Sequence, residues 1–112
     1  MGLRSDRLAD EIRDLVARCF SGGQMRDPRL QNVTITAVKL SGDLQIASIY
    51  FRIMGEDADI EGATKGLESA KSFLRKKLAG ALDVRRVPDI RFFYDESVEY
   101  GAHIEKLLAQ LN

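Results

Sequence analysis

The run VTITAVKLSGDLQIASIYFRI, residues 33–53, decides the fold. In its second half Ala47, Ile49, Phe51 and Ile53 alternate with Ser48, Tyr50 and Arg52, the period-two pattern of a strand with one covered face. The first half is rich in β-branched residues but changes phase, from Val33 and Ile35 to Val38 and Leu40. A β-bulge, or a strand covered on both faces, produces such a slip. Ser41, Gly42 and Asp43 lie between the halves and are turn formers, so the pair reads as a hairpin.

Helical patterns flank it. Leu8, Ile12, Leu15, Val16 and Cys19 recur at helical spacing, with Ser5 and Asp6 suited to a start and Gly22-Gly23 to a stop, which predicts a helix over 5–20. Asp27-Pro28 marks a turn. From residue 58 onward Ala63, Leu67, Ala70, Leu74, Leu78 and Ala81 form one narrow stripe, with Lys65, Ser69, Ser72, Arg75 and Lys76 opposite. This periodicity does not distinguish one helix from two. Pro88 forces an extended residue before it, and DIRFFYD, residues 89–95, predicts a third strand with Ile90, Phe92 and Tyr94 on one face. A last helix, capped by Ser97, carries Tyr100, Ile104, Leu107, Leu108 and Leu111 as its apolar stripe. The order predicts a single α+β domain over residues 1–112, with helices covering one face of a three-stranded sheet and the other face more open.

The 112 residues are 45% hydrophobic and 30% charged, enough for one core without disulfides or a structural metal. Cys19 and His103 are each the only residue of their type, so no His/Cys metal set can form, and a Cys–His nucleophile pair would have to join opposite terminal helices. Cys19 reads as core and His103 as surface or boundary. Glu56, Asp57, Asp59 and Glu61 lack the spacing of a calcium loop and read as solvated acids near a helix start. Gly62 and Gly66 lack the strand–Gly-rich–helix context and the following Lys-Ser/Thr pair of a phosphate-cradling loop. No enzymatic activity and no cofactor are expected. With no secretory signal and no apolar run near about 20 residues, the expected compartment is the cytoplasm, away from membranes.

The formal net charge of zero hides segregation. Residues 65–88 hold Lys65, Lys71, Arg75, Lys76, Lys77, Arg85 and Arg86 against only Glu68 and Asp83, while the segments on both sides are acidic. No anion is expected at helical spacing to neutralise the middle of the patch. A polyanion is the expected partner, and an ordinary solvated helix face is the alternative.

The chain also resembles the ribosome-binding factor A family. Ser41-x-Asp43-Leu44 in the turn, and Val87-Pro88-x-Ile90-x-Phe92 leading to Asp95 and Ser97, carry the resemblance, which spans Arg4 to Leu111. It implies a type II KH-like fold, α-β-β-α-kink-α-β-α, whose three-stranded mixed sheet has its first strand in the centre. It further implies a non-catalytic assembly factor that binds the small (30S) ribosomal subunit and 16S rRNA near the neck and 3′ region late in maturation. Help with rRNA processing, importance in the cold, and release by an assembly GTPase or the competing rRNA 3′ end belong to the same picture, for a protein that is monomeric when free. Ordinary KH domains clamp single strands with a Gly-x-x-Gly loop, which this chain lacks. In its place the resemblance implies a helix kink at Ala-x-Gly, falling here on Ala70-Lys71-Ser72, where serine can bend a helix by back-bonding but lacks glycine's freedom. The candidate RNA-binding residues are Lys65, Lys71, Arg75, Lys76, Lys77, Arg85 and Arg86; Tyr50 and Phe93, on the less covered sheet face, are the only rings available to stack, and core or surface packing is the expected role of each. A general KH-like single-stranded RNA module and a protein-interaction domain are the alternative readings.

Overall fold

The computed structural model describes residues 2–22, 25–55 and 58–110, apart from the side chains of Leu3 and of 98–104. Gly23, Glu56, Asp57, Leu111 and the side chains of Tyr100, His103 and Ile104 therefore lie outside the described residues. Seven elements follow in order: α1 (Gly2–Ser21), a 3-10 turn (Pro28–Leu30), β1 (Val33–Leu40), β2 (Ile46–Ile53), α2 (Ile60–Ala81), β3 (Asp89–Tyr94) and α3 (Ser97–Gln110). No described helix is long and apolar enough to cross a membrane.

β1 and β2 pair antiparallel, and the expected phase change is a bulge: the register shifts between Ile35 and Ala37. β2 then pairs with β3 in parallel, Ala47 opposite Ile90 and Tyr50 opposite Phe93. The sheet order is β1-β2-β3, so the second strand is central. This corrects the expectation of a central first strand. Every residue of β2 is at least half-buried, whereas β1 and β3 each present exposed positions, as edge strands do. The α2 crossover returns the chain to the strand beside the one it left, the usual outcome for consecutive strands. An edge position also tolerates the β1 bulge.

α1 and α2 cover one face of the sheet, α1 lying along β1 and α2 along β3 and the 3-10 turn. Ile12, Val16 and Cys19 from α1 meet Ala47, Ile49 and Phe51 from β2, Ile90 and Phe92 from β3, and Ala63, Leu67, Ala70, Leu74 and Leu78 from α2 in one core. Cys19 is buried, and that burial raises its thiol pKa despite the nearby charges of Lys77 and Arg18. Ala81, expected to close the α2 stripe, is exposed, and Gly66 is buried in addition. A Cβ on Gly66 would stand 3.0 Å from Leu30 Cδ2 and 3.3 Å from Arg29 Cβ, so the bare backbone lets α2 approach the 3-10 turn.

α2 is a single helical element of 22 residues that includes Ala70, Lys71 and Ser72. Its start is capped by Asp59, whose carboxylate accepts from the Gly62 N–H at 2.9 Å. The β1–β2 loop is closed by Ser41 and Asp43: Ser41 Oγ donates to Asp43 Oδ1 at 2.6 Å and accepts from the Ile46 N–H at 3.0 Å. The left-handed residue of this loop is Leu44 (φ 61°), not Gly42. In α3 the described side chains of 105–110 are all exposed, Leu107 at 43% and Leu108 at 57%, which corrects the expectation of a covered stripe there.

Candidate nucleic-acid interface

The seven cations of residues 65–86 do not share one face. Lys65 and Lys76 stand on the outer side of α2, exposed. Lys71 is half-buried and bonded to Glu68 at 2.7 Å. Lys65 lies 3.4 Å from Glu61, and Arg75 lies 3.6 Å from Asp89 at the start of β3. No acid is expected at helical spacing in the middle of the patch, and there Arg75 is met instead by an acid from another element, while Lys65 and Lys71 have acids on α2 itself. Glu61 and Glu68 occupy the i−4 and i−3 positions on α2, and Asp89 reaches Arg75 from another element. The Lys65–Glu61 and Arg75–Asp89 pairs are exposed and each is worth only about 0–1 kcal/mol, so a polyanion can replace them. Lys77 is on the opposite flank, its ammonium 5.4 Å from the Phe73 ring and close enough to act on Cys19.

What the fold does bring together is a trio of arginines. Arg75 from α2, Arg86 from the α2–β3 connection and Arg91 from β3 line one open depression of about 470 Å³ with Gln45, Ile46, Val87 and Asp89. Three arginines thus line the depression against one aspartate, Asp89, which lies 3.6 Å from Arg75, and guanidinium groups suit phosphate oxygens. Arg85 is exposed beside Arg86, and among the described residues neither has a carboxylate partner within salt-bridge distance. Arg91 escaped the sequence reading because it lies outside the basic run. The strand parity, which turns it away from buried Ile90 and Phe92, was the signal available.

From the depression the open face of the sheet continues across β3, β2 and β1. Arg91, Ser48 and Lys39 are in register on neighbouring strands, and so, one step along, are Phe93, Tyr50 and Ala37. The Tyr50 and Phe93 rings lie 5.6 Å apart, tilted by 30°, and Lys39 Nζ stands 5.4 Å from the Tyr50 ring centre. Phe93 is 44% exposed.

The far end of this face is pinned by Asp95. Its Oδ1 accepts from the Ser97 N–H at 2.9 Å and the Ser97 hydroxyl at 2.6 Å, and its Oδ2 accepts from Thr36 Oγ1 at 2.6 Å. Thr36 is the residue left over at the β1 bulge. Ser97, expected to cap α3, is instead its first residue, and Asp95 accepts its N–H. The Ser97 and Thr36 hydroxyls and the Ser97 N–H, aided by Arg52, hold the Asp95 carboxyl down at about 2. Among the described residues no cluster of His, Cys, Asp and Glu could hold a metal ion.

A three-stranded mixed sheet with α1 and α2 packed on one face has the architecture of a KH-like domain. The family model for ribosome-binding factor A matches residues 4–108, and the chain belongs to that family, whose members are binding factors without catalytic activity. The ribosome-binding factor A of Macrococcus caseolyticus is 37% identical over 112 residues, covering 100% of this chain and 97% of the relative. The crystal structure of ribosome-binding factor A from Thermus thermophilus superposes with a TM-score of 0.73 at 29% identity, covering 83% of this chain and 97% of that one. A second Thermus thermophilus structure, a homology model of ribosome-binding factor A fitted into the cryo-EM map of a 30S complex, gives a TM-score of 0.64 at 30% identity, covering 79% and 91%.

Proposed function

We propose that this protein binds the small ribosomal subunit through 16S rRNA late in maturation, with the arginine-lined depression as the centre of its contact. The supporting observation is the convergence of Arg75, Arg86 and Arg91 from three separate parts of the chain on one shallow basin, in a family whose Thermus thermophilus member has been fitted into a 30S complex. Lys65, Lys76 and Arg85 extend the field around the basin, and Lys71 joins it once its bond to Glu68 yields. Lys77 contributes little because it faces away. Contacts of this kind position a protein on folded RNA through phosphates and shape rather than base sequence.

Bound there, the protein would hold the RNA in its immature arrangement, assist its folding and processing, and matter most in the cold, where misfolded RNA is slowest to rearrange. Its departure requires a lower affinity for the mature subunit, since a ligand that binds two states equally shifts neither. An assembly GTPase or the rRNA 3′ end would supply that difference. The protein acts in the cytoplasm and is monomeric when free. α2, helical through Ala70–Ser72, then carries Lys65, Arg75 and Lys76 on one element.

The test is co-sedimentation with small subunits across a salt series. With about five phosphates neutralised, affinity falls roughly 10²–10³-fold between about 50 and 200 mM salt. Combined Arg75→Glu, Arg86→Glu and Arg91→Glu substitution abolishes pelleting while the thermal midpoint stays near the parent's. A folded triple variant that pellets as the parent does would refute the assignment and favour a protein-interaction role.

A further inference from the structure

The open face of the sheet has no assigned role in that contact. Tyr50 and Phe93, in register on β2 and β3, form a two-ring surface with centroids 5.6 Å apart. α1 and α2 cover the opposite face, and Phe93 is 44% exposed although it belongs to a residue type that is normally buried. One end of the ring row is cationic, with Lys39 over Tyr50 and Arg91 two residues before Phe93, while at the other end the Asp95 carboxylate is taken up by Ser97 and Thr36. A protein partner seated on an apolar sheet would not need a cation beside each ring, whereas a nucleotide needs a π-face for its base and a cation for its phosphate.

We propose that Tyr50 and Phe93 form a stacking platform for an unpaired base of the bound RNA, with Arg91 and Lys39 holding the flanking phosphates. This deepens the reading of the arginine basin and rests on it. Arg91 belongs to both surfaces: it lines the basin with Arg75 and Arg86, and along β3 it is about 6.6 Å from Phe93 at the usual strand rise. An RNA strand whose phosphates lie in the basin therefore reaches the rings without leaving the protein. Stacking is tolerant of base identity, so the platform would recognise that a nucleotide is unpaired rather than which nucleotide it is. It would thereby favour subunits in which a contacted strand is still single, and that preference is a source of the difference between immature and mature states.

The chain has no tryptophan, so Phe93→Trp introduces a single indole as a reporter. On addition of purified immature small subunits its fluorescence is expected to be quenched, and ultraviolet cross-linking is expected to attach a nucleotide to the β3 peptide. Phe93→Ala is expected to weaken subunit binding roughly 5- to 150-fold, the worth of one stacked base, without altering the salt slope. Phe93→Tyr is expected to retain affinity and Phe93→Leu to lose it, because leucine keeps apolar bulk but has no π-face. The proposal is overturned if Phe93→Ala binds as tightly as the parent, if Phe93→Leu does, or if the cross-links from β3 reach only protein. Loss of binding on charge reversal at Arg75 and Arg86 with no effect at Phe93 would remove the platform and leave the arginine basin standing. Unchanged binding in both would remove the basin as well.

Discussion

Replacing Asp95 with alanine tests how the edges of the sheet are tied together. The carboxylate accepts three hydrogen bonds, two from Ser97 at the start of α3 and one from Thr36 at the β1 bulge. Losing the bond to the Ser97 N–H, a cap-type interaction, costs about 1 kcal/mol. The Thr36 hydroxyl keeps a longer alternative, the Tyr50 carbonyl at 3.3 Å, so its loss is held to about 1 kcal/mol. The Ser97 hydroxyl is exposed and turns to water. Together, Asp95→Ala is expected to destabilise the domain by about 2 kcal/mol and to lower its thermal midpoint by roughly 6–12 °C for a chain of this size.

The same bonds fix a pH signature. In the folded protein Asp95 titrates at about 2, below its ordinary 3.8, so its stabilisation is complete above 3.8 and is lost as pH falls toward 2. Thermal unfolding followed by circular dichroism, for parent and Asp95→Ala across this range, should show a gap in midpoint that is constant near neutrality and closes in acid. The Asp27 and Asp43 carboxyls are also held low by their hydrogen bonds, so both proteins lose stability in acid, and the gap isolates Asp95. A variant that melts within about 2 °C of the parent at neutral pH, or a gap that survives unchanged in acid, would refute the reasoning.

Two further outcomes follow from the same geometry. Gly80 lies in α2 with nothing within 4 Å of a built Cβ, so Gly80→Ala should raise stability by about 0.5–1 kcal/mol, read as a shift in the urea midpoint at constant slope. Lys77 and Arg86 are close in the chain but on different surfaces: Lys77→Ala should leave small-subunit affinity and its salt slope unchanged, and Arg86→Ala should reduce the slope by about one phosphate's share in a binding titration, so equal effects would contradict the placement of the basin.

Much of the candidate site was legible in advance, and the parts that were not share a cause. Arg75 and Arg86 stood out from charge alone, and Tyr50 and Phe93 from strand parity. Lys77 counted with the basic run although only Lys76 lay opposite the core stripe, and the flank of α2 that carries it turns toward Phe73 and Cys19. Glu68 was in plain view three residues from Lys71, yet whether an exposed pair closes depends on rotamers that residue spacing does not specify.

The amino-acid sequence by itself determined the order of strands and helices, the alternation in β2 and β3 and the core stripe of α2 from Ala63 to Leu78, because each follows from a local period of about 2 or 3.6 residues that buries apolar side chains on one side. Tertiary structure alone decided that β2 is the central strand, that Asp89 pairs with Arg75, that Asp95 reaches Thr36 fifty-nine positions earlier, and that Arg91 completes a basin with Arg75 and Arg86. Those facts depend on which edges meet in space. Periodicity orients a side chain about its own element but carries no information on the neighbour that the chain brings back to it.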